Sequence, residues 1–240
     1  LINRLVGKKA TNVGNKPGIT KNLEWIRINA YLQLLDTPGI LWPKLEGKNT
    51  FFNFPSVGAT INVMLAAVLA KGKTKIINAA TEPEITNVAS FLNSMGAKVF
   101  GAGTSTIEIT GVEELHDGYV KVIPDRIEAG TYLIIGSLLG HNFKVDDIIE
   151  EHLYALISKL EDAGVKLKVG KNSITVNKTK NLKAVNIKTG VYPGFVTDLG
   201  QPMSAFLTQC EGESLFEETI YENRLRHVPH LNNMGADIKA

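Results

Sequence analysis

The sequence PSVGAT at residues 55–60 opens a block that returns as PDRIEAGT at residues 124–131 and as PGFVTD at residues 193–198. The three prolines that begin these blocks are 69 residues apart. Each block continues into an apolar stretch rich in small residues, then a strand-like run and an amphipathic helix. A fixed period of this length indicates one supersecondary unit stacked on copies of itself.

The amphipathic helix of each copy shows apolar residues at helical spacing and ends near a glycine, Gly96, Gly164 or Gly235. The apolar residues are Ile85, Val88, Ala89, Leu92 and Met95, then Leu153, Leu156, Ile157 and Leu160, then Leu225, Val228, Leu231 and Met234. Six strands are predicted around the helices, at 74–78, 98–100, 106–110, 166–169, 173–176 and 214–218. The pattern predicts a helix, strand, helix and hairpin in each unit, and hence an α/β protein.

Residues 1–46 do not follow the repeat. Turn-forming residues predict a loop at 12–20, and apolar alternation predicts strands at 24–29 and 31–35. This segment carries seven Lys/Arg and three Asp/Glu, a net charge of +4, whereas residues 47–240 carry 19 Lys/Arg and 21 Asp/Glu. Seven spaced basic residues are more typical of a solvated surface than of a nucleic-acid site, so we expect no nucleic-acid partner.

Composition indicates an ordinary globular protein, with 44% apolar and 21% charged residues. Cys210 is the only cysteine, which excludes an intrachain disulfide and fits a reducing, cytoplasmic compartment. The longest apolar stretches, 63–70 and 132–139, are too short to cross a bilayer. The five histidines have no metal-ligand spacing, and we expect neither a metal nor a cofactor.

Three stretches of the first segment, LINRL at 1–5, NKPGIT at 15–20 and LLDTPGILWP at 34–43, resemble ribosome-assembly GTPases with a circularly permuted G domain. The resemblance implies that Thr20 reaches a magnesium ion, Asp36 binds it through water, and the Gly39 amide meets the γ-phosphate. Asp-Thr-Pro-Gly is also a favourable tight turn without any ligand. The phosphate-binding loop that supplies most of the triphosphate contacts would precede Leu1, so we expect no GTP binding.

Longer stretches of the repeat region resemble the enolpyruvyl transferases, most closely those that act on UDP-N-acetylglucosamine. They are FPSVGAT at 54–60, NAATEPEI at 78–85, PDRIEAGT at 124–131, LKAV at 182–185, YPGF at 192–195 and ETIYENR at 218–224. The resemblance implies an α/β (α+β) fold of repeated βαββαβ-like units in an inside-out barrel, with ligands between two lobes. We therefore expect a partial P-loop GTPase fragment at 1–46, a first-lobe repeat at 47–123 and second-lobe repeats at 124–240.

The resemblance also implies a reaction in peptidoglycan precursor synthesis. The enolpyruvyl group of phosphoenolpyruvate would move to the 3-hydroxyl of UDP-N-acetylglucosamine, with release of phosphate. Asp198 matches the carboxylate that accepts the hydroxyl proton, and Ile220 matches a contact to the uridine-sugar.

Ser56, Val57 and Gly58 match a loop that binds the nucleotide diphosphate. Arg126 and Arg224 match arginines that line the cleft between the lobes.

Each of these assignments has a simpler alternative. Asp198 could cap the following helix, and Arg126 could pair with Asp125 or Glu128. Cys210 is expected in the core and does not match the reactive cysteine of the family. Gly200 stands where the family usually has an amide side chain, and Ile61 where a polar residue is commoner.

We expect a chimeric or truncated transferase that is inactive alone, because a lysine-asparagine pair and a cysteine loop of the family are not in the sequence. The alternatives are a GTPase remnant joined to an interaction module, and a non-catalytic sugar-nucleotide-binding remnant. Residues Glu46–Lys48 would mark the junction between the two resemblances.

Overall fold

A computed structural model of the chain describes residues 49–239 and the backbone of two short strands before them. These strands, β1 (Glu24–Arg27) and β2 (Gln33–Asp36), pair antiparallel, with Trp25 opposite Leu35. Their positions agree with the two strands predicted from apolar alternation. Thr20, Gly39 and the side chain of Asp36 lie outside the described residues.

The first unit contains two helices and a four-stranded sheet. Its elements are β3 (Asn49–Phe51), α1 (Val57–Ala67), β4 (Lys73–Ile77), α2 (Pro83–Ser94), β5 (Lys98–Phe100) and β6 (Thr106–Thr110). The sheet order is β3-β4-β6-β5, with β3 parallel to β4 and the other pairs antiparallel. The unit has a hydrophobic core of its own, formed by side chains such as Met64, Ile76, Ile85 and Ile107. Ile107 and Ile109 of β6 alternate with polar residues and both belong to this core, so this face of the strand packs against the two helices.

The second unit repeats this order of elements. It contains α3 (Arg126–Leu139), β7 (Phe143–Asp146), a 3-10 turn (Glu150–Leu153) that leads into α4 (Tyr154–Asp162), β8 (Lys166–Gly170) and β9 (Ser173–Asn177). Its antiparallel sheet has the order β7-β9-β8, which corresponds to β4-β6-β5 of the first unit. The repeat predicted from the sequence is therefore confirmed for these two copies.

The third copy is shorter and shares the core of the second unit. Its elements are β10 (Ile187–Lys188), a 3-10 turn (Thr197–Leu199), α5 (Gly200–Leu207), β11 (Phe216–Glu217) and α6 (Val228–Asn233). Strands β10 and β11 are parallel neighbours, as β3 and β4 are in the first unit. Phe195, Leu199 and Phe206 pack with residues of α3 and α4.

Equivalent residues keep equivalent environments. Leu92 and Leu160 are 3% and 0% exposed, as the repeat predicted. Gly96, Gly164 and Gly235 each follow a helix with φ of +93°, +91° and +99°, in the left-handed region that favours glycine.

A side-chain contact is repeated as well. Asn93 and Asn232 each exchange two hydrogen bonds with the backbone of the residue six positions later, Val99 and Ile238. The third copy therefore follows the first at the level of individual hydrogen bonds.

Some sequence predictions differ from the structure. Met234 is 84% exposed, because α6 has only six residues and ends before it. The strand predicted at 214–218 is reduced to the two residues of β11. Strands β3, β7 and β10 were not predicted, since each has only two to four residues and no continuous apolar run. No helix in the described part of the chain is long and apolar enough to cross a membrane.

Candidate functional site

A cavity of about 220 Å³ lies where the three units meet. The first unit contributes residues 54–58, Glu82 and Glu84. The opposite walls come from Arg126, residues 190–192 and 196–198, Ile220 and Tyr221. The cavity brings together six of the seven residues predicted to bind substrate or catalyse, namely Ser56, Val57, Gly58, Arg126, Asp198 and Ile220. The seventh, Arg224, is outside the lining of the cavity and forms an ion pair with Asp198.

The first wall is the N-terminus of α1. Ser56 is the N-cap, with φ −132° and ψ 122°, and its hydroxyl accepts a hydrogen bond from the Ala59 amide at 3.4 Å. The amides of Val57 and Gly58 belong to the first turn, which has no partners for them within the helix. A Cβ built on Gly58 would meet nothing within 4 Å, so this end of the helix is open. Free amides at a helix N-terminus favour an anionic ligand.

Asp198 faces this wall from the 3-10 turn before α5. Its Oδ1 accepts a hydrogen bond from Arg224, and the Asp198 side chain is 51% exposed. The Arg224 guanidinium carbon lies 5.1 Å from the centroid of the Tyr221 ring. The N-cap of α5 is Leu199, so the alternative that Asp198 caps this helix is wrong.

Glu218 connects the turn that carries Asp198 to the loop that carries Ile220. Its Oε2 accepts from the Thr197 hydroxyl at 2.7 Å. Its Oε1 accepts from the amides of Ile220 and Tyr221 at 2.7 and 3.1 Å and from the Thr189 hydroxyl at 3.0 Å. Burial would raise the pKa of Glu218, but these four hydrogen bonds together hold it below its ordinary value.

Arg126 lies on the floor of the cavity and is already engaged. Its guanidinium donates to both carboxylate oxygens of Glu84, at 3.0 and 3.4 Å, and lies 5.5 Å from the centroid of the Tyr192 ring. Asp125 instead caps α3 by accepting from the amides of Ile127 and Glu128. The predicted alternative, a pair with Asp125 or Glu128, is therefore wrong.

A smaller cavity of about 40 Å³ lies beside Arg126 and is lined by residues including His152 and Tyr192. Burial lowers the pKa of His152, and the positive charge of Arg126 lowers it further. Burial raises the pKa of Tyr192.

Cys210 is away from both cavities and packs against the core of the second and third units, partly buried. Burial raises the pKa of its thiol. Among the described residues, no three histidine, cysteine, aspartate or glutamate side chains are grouped to hold a metal ion.

Sequence reasoning missed Glu84 and Glu218. Glu84 is 42 residues from Arg126, so no local spacing connects them. Glu218 was visible only as the first residue of the ETIYENR stretch. An acidic residue beside two hydroxyl residues, Thr189 and Thr197, becomes informative only when the fold brings them together.

Comparison with known proteins gives one family match. The family described as EPSP synthase (3-phosphoshikimate 1-carboxyvinyltransferase) matches residues 30–240. The match includes residues 30–46, which the sequence analysis assigned to a GTPase fragment. That assignment stays a prediction.

Two similar proteins carry the name UDP-N-acetylglucosamine 1-carboxyvinyltransferase 2. The one from Streptococcus pyogenes is 50% identical over 195 residues, which are 81% of this chain and 46% of that protein. The one from Listeria monocytogenes is 48% identical over 196 residues, which are 82% of this chain and 46% of that protein. The chain thus spans about half the length of the relatives it matches.

Solved structures show the same fold. The enolpyruvyl transferase NikO from Streptomyces tendae superposes with a TM-score of 0.70 and 26% identity, covering 76% of this chain and 44% of that one. An EPSP synthase from Acinetobacter baumannii gives a TM-score of 0.52 at 16% identity, and the match covers 79% of this chain and 45% of that one. At this identity the likeness concerns the fold alone.

Proposed function

Because this chain belongs to the EPSP synthase family of carboxyvinyltransferases, we propose that it carries part of the active site of a UDP-N-acetylglucosamine 1-carboxyvinyltransferase. The donor would be phosphoenolpyruvate and the product a peptidoglycan precursor made in the cytoplasm. The observation that supports this most is the convergence of Ser56–Gly58, Asp198 and Ile220 on one cavity. We further propose that residues 47–123 and 124–240 belong to the two lobes of an inside-out barrel, with the cavity between them.

The nucleotide diphosphate would lie at the N-terminus of α1. The open amides of Val57 and Gly58 can donate to its oxygens, and the helix dipole favours its negative charge. Ile220 would contact the uridine-sugar from the opposite wall. These two contacts would hold the sugar between the walls, where Asp198 lies.

Asp198 would act on the acceptor hydroxyl. Arg224 holds its Oδ1, so Oδ2 is the oxygen that can accept the proton of the sugar 3-hydroxyl. In the net reaction the sugar oxygen bonds to C2 of phosphoenolpyruvate, the C2–O bond to phosphate breaks, and the hydroxyl proton leaves with inorganic phosphate. Arg126 and Arg224 would place positive charge near the phosphate and carboxylate of the donor, while Glu84 and Asp198 keep the hydrogen bonds described above.

We propose that these 240 residues bind the sugar nucleotide weakly and do not complete the transfer. Catalysis depends on groups that converge from all walls of a site. The chain covers only about 46% of the length of the relative that it matches. For residues 1–46, GTPase ancestry, with Thr20, Asp36 and Gly39 as remnants of its site, remains our proposal.

Titration followed by two-dimensional amide NMR tests the proposal. UDP-N-acetylglucosamine should shift the amides of Val57, Gly58 and Ile220 with a dissociation constant weaker than about 1 mM, worth less than about 4 kcal/mol. Shikimate 3-phosphate, the acceptor implied by the family description, should cause no shift at these amides. Asp198→Asn should weaken binding further. Asp146→Asn, at an exposed residue paired with Lys144, is the matched control.

Phosphate release from phosphoenolpyruvate and UDP-N-acetylglucosamine should be undetectable. Turnover that Asp198→Ala abolishes would show that the chain is a working transferase, against our proposal. Turnover that survives this substitution would refute the role of Asp198 as the base.

A further inference from the structure

We infer that Glu218 is a positioning residue that holds the Asp198 turn and the Ile220 loop in one arrangement for ligand binding. The inference rests on the proposed function for the identity of the ligand. Glu218 itself is outside the lining of the cavity, so it acts through its neighbours.

The two segments that Glu218 joins come from different parts of the third copy. Thr197 precedes it by 21 residues and is adjacent to Asp198, while Ile220 follows it by two residues. Thr197 is 7% exposed, so its bond to Glu218 is shielded from water. Both cavity-lining segments therefore depend on the same carboxylate.

A third segment completes the connection. The buried Thr189 donates from its hydroxyl to Glu218, and the same hydroxyl accepts from the Thr219 amide at 2.8 Å. The Thr219 hydroxyl in turn donates to the Thr189 carbonyl at 2.6 Å. The Glu218 carboxylate is thus fixed to the end of strand β10 and cannot move without Thr189.

The bond between Glu218 and Ile220 also determines what Ile220 can offer a ligand. Its amide already donates to Glu218 Oε1, so the carbonyl oxygen and the apolar side chain remain. The carbonyl accepts hydrogen bonds only, so it selects a hydroxyl or N–H group of the sugar nucleotide. This restriction would be lost if the loop rotated.

A carboxylate suits this position because all four of its partners are donors in the structure. In Glu218→Gln the amide oxygen can still face the two backbone amides, while its NH₂ group faces a threonine hydroxyl that can turn to accept. The substitution therefore keeps the shape and removes the charge, which weakens hydrogen bonds that a charged acceptor strengthens.

Amide hydrogen exchange measured by NMR tests the positioning directly. In Glu218→Gln the amides of Ile220 and Tyr221 should exchange at least about tenfold faster than in the wild type, because their acceptor is no longer charged. Glu217→Gln is the matched control, since Glu217 directly precedes Glu218 as the last residue of β11 and its carboxylate pairs with exposed Lys188. Its exchange at Ile220 and Tyr221 should stay within about twofold of the wild type.

A second pair of variants protects the test against a folding failure. Thr197→Val removes the hydroxyl that bonds Glu218, and Thr197→Ser restores it. At a temperature where both variants remain folded, the valine variant should bind UDP-N-acetylglucosamine about fivefold or more weakly, and the serine variant should bind within about twofold of the wild type.

Two results would overturn the inference. One is unchanged exchange at Ile220 and Tyr221 in Glu218→Gln, and the other is equal binding by the valine and serine variants. If the wild type shows no affinity for the sugar nucleotide, the proposed function fails. The exchange comparison between Glu218→Gln and Glu217→Gln then decides the role of Glu218 alone.

Discussion

Glu84 and Arg126 form an ion pair with two hydrogen bonds that joins the first unit to the second at the floor of the cavity. The Arg126 side chain is 10% exposed, and the Tyr192 ring from the third copy packs beside it. The Thr81 hydroxyl also donates to the Tyr192 carbonyl at 3.1 Å. All three units therefore meet around one shielded guanidinium.

Removal of the Glu84 charge should destabilise the protein. Glu84→Gln leaves a shielded guanidinium with a neutral partner, and we expect a loss of about 1–3 kcal/mol in the free energy of unfolding. Glu108→Gln, which breaks the exposed pair with Lys75, should cost less than about 1 kcal/mol. Urea denaturation of both variants gives the comparison, and equal losses would contradict a structural role for the Glu84 pair.

The repeated core should give matching losses in two units. Leu92→Ala and Leu160→Ala each remove a buried side chain from the second helix of a unit, and each should cost about 2–5 kcal/mol. Leu139→Ala, at an exposed position, should change stability by less than about 0.5 kcal/mol. Chemical denaturation measures all three. A large loss at Leu92 with none at Leu160 would contradict equivalent packing.

The sequence predicted the parts of this fold that depend on local pattern. The period of 69 residues, the helices around Leu92 and Leu160, and the terminal glycines all follow from spacing and backbone geometry. The short strands β7 and β10 could not be predicted, because pairing with β9 and β11 stabilises them rather than their own composition. For the site, the resemblance identified the cavity-lining residues. It did not identify Glu84 or Glu218, whose partners are distant in the sequence.

Protonation of His152 should reduce stability in mild acid. Burial, and then the Arg126 charge, lower its pKa in the folded state below the ordinary value of 6.5, against smaller opposing effects of Glu151 and Glu84. The unfolded chain therefore binds the proton more readily, so this contribution to stability is present above pH 6.5 and is lost as the pH falls towards the folded pKa.

The measurement is the free energy of unfolding at pH 7.5 and pH 5.5, in the wild type and in His152→Gln. The variant should lose less stability over this interval, by at most about 1.4 kcal/mol for each pH unit. An identical pH dependence in His152→Gln and the wild type would contradict the prediction.

Magnesium-GTP should not bind measurably to this chain. The glycine-rich loop and lysine that supply most of the contacts to a triphosphate are not in the sequence, although Thr20, Asp36 and Gly39 resemble other parts of such a site. Isothermal titration calorimetry is the direct measurement. Micromolar affinity would refute the interpretation of the first segment as a remnant.

Substitution of Gly58 should separate ligand binding from stability. Gly58 is the second residue of α1, and an added Cβ would extend into open space, so Gly58→Ala should leave stability unchanged or slightly higher. The same methyl group would occupy the surface where we propose that the diphosphate lies. UDP-N-acetylglucosamine should therefore bind about tenfold more weakly, a loss of about 1.4 kcal/mol.

Gly164→Ala is a control with the reverse expectation, a loss of stability without a loss of ligand affinity. Gly164 also has free space around a built Cβ, but its φ of +91° is strained for alanine, and it ends α4 away from the cavity. This variant should lose about 1–2 kcal/mol of stability and keep the affinity of the wild type at a temperature where it remains folded. Thermal denaturation and the NMR titration together give both quantities. If Gly58→Ala and Gly164→Ala bind the sugar nucleotide equally, the N-terminus of α1 does not contact the diphosphate.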